Sequence, residues 1–133
     1  MAKTKGAASS ARQSLVRLRD ETPELFETLL ERGALLKAYL DSSPRTCGSP
    51  HCRCARGEKH PAWVVRIPQE KGTRSRSVSK ETFERLTPLS EEYRRFRQAA
   101  TRWRKLVAEV DEALGILERE RLVDPERALE RET

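Results

Sequence analysis

Leu15, Leu18, Leu25, Leu29, Leu36 and Leu40 follow one another at three- and four-residue steps or sums of them. That spacing places them on one side of an α-helix. The stripe is interrupted at "DETPELF", where Thr22 suits an N-cap and Pro23 a first helical turn. It predicts one kinked helix or two collinear ones over 10–21 and 23–41, ended by the turn formers of "SPRTCGSP". A more regular seam runs through Tyr93, Phe96, Ala100, Trp103, Val107, Val110, Leu114 and Leu117. Its alternating steps of three and four are those of a coiled coil.

Between the seams the period changes. In "AWVVRIPQEKGTRSRSVS", Trp63, Val64, Val65 and Ile67 are strand formers, "PQEKG" is a turn, and small hydroxyl residues alternate with arginines after it. A hairpin over 62–67 and 73–78 follows, too small to stand without an anchor. Ser79 and Ser90, each followed by acids, look like helix starts, and Pro88 a boundary between a short helix and a long one. The expected organisation is a disordered tail at 1–9, a helical arm at 10–43, and a loop with a basic hairpin at 44–79. A long helix at 80–122 and a charged tail at 123–133 complete it. The fold class is mainly α: two long, coiled-coil-like helices flanking a small metal-anchored loop and β-hairpin. An antiparallel helix pair with the insert at its tip is the simplest packing, and a parallel dimer through the C-terminal helix the alternative.

Composition supports helices packed along narrow stripes over a globule with a deep core. Of 133 residues, 36% are charged, 36% hydrophobic and only 5% aromatic. No apolar run spans a membrane, and "MAKTKGAASSARQ" lacks the apolar stretch of a secretory signal, so a cytoplasmic setting is expected.

The net charge of +6 is unevenly spread. Arg45, Arg53, Arg56, Lys59, Arg66, Lys71, Arg74, Arg76 and Lys80 outnumber Glu58 and Glu70 in the middle of the chain, and "YRRFRQAATRWRK" contains no acid. Beyond Ala108 acids predominate.

The candidate chemistry is concentrated in "CGSPHCRCARGEKH", which holds every cysteine and both histidines of the chain. Three cysteines cannot all pair with one another, and a reducing compartment favours thiolates over disulfides. A structural zinc ion takes four sulfur or nitrogen ligands in a tetrahedron. Cys47, Cys52, Cys54 and His60 supply them. His51, next to Cys52, ranks second to His60 because two adjacent ligands would strain the backbone. Open-site catalysis and redox chemistry have little support: the nearby carboxylates, Glu58 and Glu70, sit in polar turns, and there is no C-x-x-C.

The run from Cys47 to His60, continued by an aromatic strand, resembles a family of small prokaryotic proteins known mainly as a domain of unknown function. The family's pattern is approximately C-G-x-x-x-C-x-C-x-x-G-x-x-H-G-P-Y, and this chain departs from it at "HPAW". Members often sit beside transposase genes in mobile elements. The resemblance implies the same grouping of Cys47, Cys52, Cys54 and His60, and a DNA-related setting.

Arg74 and Arg76, two apart on a strand, share a face. Together with Arg53, Arg56, Arg66, Lys71, Arg94 and Arg95 they make a candidate phosphate-binding surface. The sequence thus leads to two expectations. One is a non-enzymatic, zinc-containing DNA-binding accessory or regulatory protein, associated with a mobile element or recombination machinery. The other is a protein-interaction adaptor, or coiled-coil scaffold, with a structural zinc site. In both, the helices serve self-association or a partner protein, and no membrane is involved.

Overall fold

The computed structural model describes residues 2–130, with side chains from Gly6 onward. Its elements are α1 (Ala2–Leu29), β1 (Tyr39–Asp41), a 3-10 turn (Arg53–Arg56), β2 (Val64–Pro68), β3 (Thr73–Ser77), α2 (Lys80–Arg121) and α3 (Pro125–Glu130). They form two compact units. One comprises the chain up to Glu31 together with the chain from Gln98 onward, the other Arg32–Arg97.

The first unit is an antiparallel helix pair. Arg12 bonds Glu120, Glu21 bonds Arg102, and the Phe26 ring lies 5.1 Å from that of Trp103, so one helix ascends as the other descends. The faces in contact are built on small residues. Ala8, Ala11 and Leu18 are buried on α1, and Ala99, Leu106 and Ala113 on α2. The α2 seam expected from the sequence is therefore only half right. Trp103, Val110 and Leu117 are half-buried as expected, but the buried positions between them are Ala99, Leu106 and Ala113. Val107 and Leu114, one residue further along, are 39% and 52% exposed. Alanines at Ala99 and Ala113 admit a close helix neighbour where larger side chains would hold it off, which turns the buried stripe toward them.

Both internal prolines are tolerated. Pro23 and Pro88 lie inside continuous helices, where one kinked helix or two collinear ones were expected at Pro23 and a helix boundary at Pro88. Each is exposed and follows a threonine whose hydroxyl donates to the carbonyl four residues back: Thr22 to Leu18 at 2.8 Å, Thr87 to Phe83 at 2.7 Å. Each proline removes one helical N–H on a solvent-facing side of its helix.

Helix α1 begins at Ala2, inside the stretch expected to be a disordered tail, and ends at Leu29, well short of residue 41. Beyond Leu29 the chain leaves helical conformation and takes long-range partners. Leu36 N–H donates to the Leu89 carbonyl, and Tyr39–Asp41 pairs antiparallel with β2. The expected hairpin is present, displaced by one or two residues, and β1 makes it a three-stranded sheet of order β1-β2-β3. Gly72, at φ 85°, closes the hairpin, its carbonyl accepting from Gln69 N–H at 3.0 Å. Ser79 caps α2 by accepting from Thr82 N–H at 3.1 Å. Ser90 starts no helix. It lies buried within α2, its hydroxyl donating to the Ala38 carbonyl at 2.9 Å. In the expected charged tail Asp124 accepts from Glu126 N–H at the start of α3, and 131–133, like Met1 of the expected N-terminal tail, lie outside the described residues.

Candidate metal centre

The sulfur ligands sit on a short, tightly turned loop. Arg45 and His60 form an antiparallel bridge through two backbone hydrogen bonds of 2.9 and 2.8 Å, which brings Cys47 back toward His60. Between them Cys52 N–H donates to the Ser49 carbonyl, and the 3-10 turn carries Cys54 inward. Gly57, at φ 107°, ends that turn in the left-handed region, which favours glycine. Gly48, at φ 82°, does the same directly after Cys47.

The ligand atoms of Cys47, Cys52, Cys54 and His60 all lie within 4.8 Å of one another. The Cys47 and Cys54 sulfurs are 3.4 Å apart, and Cys52 Sγ is 3.1 Å from His60 Nε2. A tetrahedron with zinc–sulfur bonds of about 2.3 Å has sulfur–sulfur edges of about 3.8 Å, so the four atoms are close to the arrangement one ion would impose. Cys54 is buried while Cys47 and His60 are exposed, which puts the cluster at the surface with one ligand rooted inside. These residues lie close enough to hold a metal ion. His51 is not among them.

The electrostatics favour deprotonated sulfur at Cys47. Backbone donation at Ser49 and hydrogen bonds from Cys54, His60 and Cys52 bring the Cys47 thiol down to about 6. Cys47 N–H points at Cys54 Sγ from 3.2 Å, but burial and the neighbouring sulfurs outweigh it and hold that thiol above its ordinary value. The His60 imidazolium is favoured by its bonds to Cys47 and Cys52, which raise its pKa. Metal ligation takes deprotonated sulfur and neutral imidazole, so a bound cation would stand in for protons on these groups.

A family match accords with this geometry, running over residues 12–87, from within α1 to the first turns of α2. The chain belongs to the family described as domain of unknown function (DUF6788). The matched stretch contains all four ligands and the whole sheet. No curated protein and no solved structure matches the chain.

The cations expected to form one surface are distributed over several. Arg53 and Arg56 are exposed on the 3-10 turn beside the ligands, and Lys71 is exposed at the hairpin turn. Arg74 and Arg76 pair with Ile67 and Val65, so they share a sheet face as expected. Arg66 pairs with Ser75 and therefore points to the opposite face, where it bonds Asp41 at 2.9 Å. Asp41 also accepts from Ser43, and these bonds, first those from Ser43 and then the charges of Arg66 and Arg45, hold its carboxyl below the usual value. Arg95 bonds Glu92 one turn back on α2 at 2.8 Å. Spacing alone gives Arg66 the same weight as Arg74, because the partner on β1 lies twenty-five residues away.

Two further groupings come only from the fold. Arg76 lines an open cleft with Lys37, Arg85, Val65 and Leu86. Arg94 lines a second with Lys37, Arg97, Tyr39 and Tyr93. Lys37 falls within the expected helical arm, and no periodicity in the sequence signals its place here.

Proposed function

We propose that this chain is a zinc-organised, non-enzymatic nucleic-acid-binding module. Cys47, Cys52, Cys54 and His60 hold the ion, and exposed cations of the hairpin and the 3-10 turn meet phosphates. One observation carries the reading: Arg53, Arg56, Lys71, Arg74 and Arg76 have no acidic partner among the described residues, while Arg66 and Arg95 do. Unpaired cations on a small module held by a metal ion form a preorganised surface for a polyanion. Duplex DNA, a cytoplasmic location and an accessory role in mobile-element recombination complete the proposal, the last supported by the family resemblance alone.

A protein-interaction role through the helices is the second reading. The exposure of Val107 and Leu114 on α2 favours it. Protein purified without added metal should contain about one zinc per chain and bind labelled duplex with a steep salt dependence. The R74E/R76E variant should reduce the log–log salt slope by roughly two. Zinc without duplex binding would transfer the function to the helices, and no zinc would overturn the zinc-organised module.

A further inference from the structure

The cleft of about 210 Å³ lined by Lys37, Tyr39, Tyr93, Arg94 and Arg97 has a composition that packing alone does not account for. Three cations and two tyrosines line it, and none of its lining residues is acidic. Lys37, Arg94 and Arg97 make no hydrogen bond or ion pair among the described residues. Nearby Glu92 is engaged by Arg95. Three like charges around one concavity repel one another, an arrangement an anion relieves.

The floor of the cleft is fixed. Ser90, buried, bonds the Ala38 carbonyl at 2.9 Å, and Leu36 N–H bonds the Leu89 carbonyl at 3.1 Å, so the segment bearing Lys37 and Tyr39 is tied to α2 from both sides of Lys37. That tie is what brings Lys37 to arginines more than fifty positions away in the sequence. Tyr39 is 67% exposed on the edge strand, an aromatic side chain lining a cationic cleft.

We propose that this cleft binds a nucleotide unit, its phosphate gripped by Lys37, Arg94 and Arg97 and its base stacked on Tyr39. Arginine pairs supply the planar, charge-assisted donors that phosphate oxygens take. An exposed tyrosine is a stacking platform that any base can use. The volume admits one phosphate with its sugar rather than a length of duplex, so the ligand is a free mononucleotide or the terminal nucleotide of a single strand. This site is separate from the cations assigned to duplex binding.

The test is calorimetric titration of the full, metal-loaded chain with inorganic phosphate, a nucleoside 5′-monophosphate, the matching nucleoside, and a short single strand with and without a 5′-phosphate. The monophosphate should bind roughly tenfold or more tighter than either the nucleoside or inorganic phosphate. A single strand that gains as much from its 5′-phosphate identifies a strand end as the source. A strand that gains nothing from it identifies the free nucleotide. Replacing Arg94 or Arg97 by Gln should weaken phosphate-dependent binding roughly tenfold each, and K37Q, at an exposed position that cannot disturb the core, should follow. Y39A should weaken the monophosphate roughly tenfold without affecting inorganic phosphate, and Y39F should restore it. Equal binding of nucleoside and monophosphate, or unchanged binding in K37Q and R97Q alike, would overturn the proposal. Because the probes are not duplexes, that failure is distinguishable from failure of the duplex reading.

Discussion

The helix pair and the sheet-bearing unit solve the same problem, too little apolar material, in opposite ways. The helix pair repeats one modest contact along its length: alanines and a leucine buried on each helix, with Phe26 against Trp103 and the two-pronged Arg102–Glu21 bond as fixed points. Its stability is distributed, and the loss of one contact leaves the others in place. In the sheet-bearing unit only Ala38, Cys54, Val64, Val65 and Ser90 are buried, and β3 is exposed throughout. A three-stranded sheet with so small a core needs an anchor, and an ion held by Cys47, Cys52, Cys54 and His60 would provide a local one. One unit should therefore fail gradually and the other all at once.

Removing the anchor is the strongest way to break that comparison. Chelation, or C54S at the buried ligand, should abolish metal retention and strip hydrogen-exchange protection from residues 45–62, while the far-UV helical signal changes little. Simultaneous melting of α1 would show that the two units are one cooperative whole. Next in size, L18A should cost about 2–5 kcal/mol in chemical denaturation, because Leu18 is the largest fully buried side chain among the described residues, and should leave metal content untouched. A113L tests the small-residue interface more finely. Overpacking there should cost about 1–3 kcal/mol, whereas V107L, at an exposed position, should be close to neutral.

The smallest effect is electrostatic. The Arg102 guanidinium holds the Glu21 carboxyl below its ordinary value of 4.5. A lowered carboxyl pKa adds stability that is complete above the ordinary value and disappears as pH falls through the lowered one. E21Q should therefore lower stability modestly near neutrality and make little difference at acid pH, which flattens the acid limb of the stability curve. An unchanged acid limb would show that the pair adds nothing to the helix interface.

How much of this was legible follows the range of the interactions. The four ligands could be read because fourteen consecutive residues contain them all and glycines mark the turns between them. The hairpin and the start of α2 at Lys80 were legible for the same reason, since "PQEKG" and the Ser79 cap act within a few residues. The end of α1 was not. Leu36 and Leu40 continue the helical stripe, yet Leu36 is held by Leu89 and Leu40 pairs with Val65. Periodicity located the α2 seam to within one residue and missed its rotation, because Ala99 and Ala113 look less apolar than Val107 and Leu114 until another helix lies against them.

The sequence by itself determined the cluster of candidate ligands, the tight loop that carries it, the hairpin, the start of α2 and the excess of positive charge. Each of these depends on neighbours a few residues apart. The tertiary structure decided which charges are neutralised and which are free. Asp41 engages Arg66 and Glu21 engages Arg102 across long stretches of chain, while Lys37 and Tyr39 come to Arg94 and Arg97. Charge composition is a property of the sequence, but a binding surface depends on distance, and only the folded backbone sets which distant residues become neighbours.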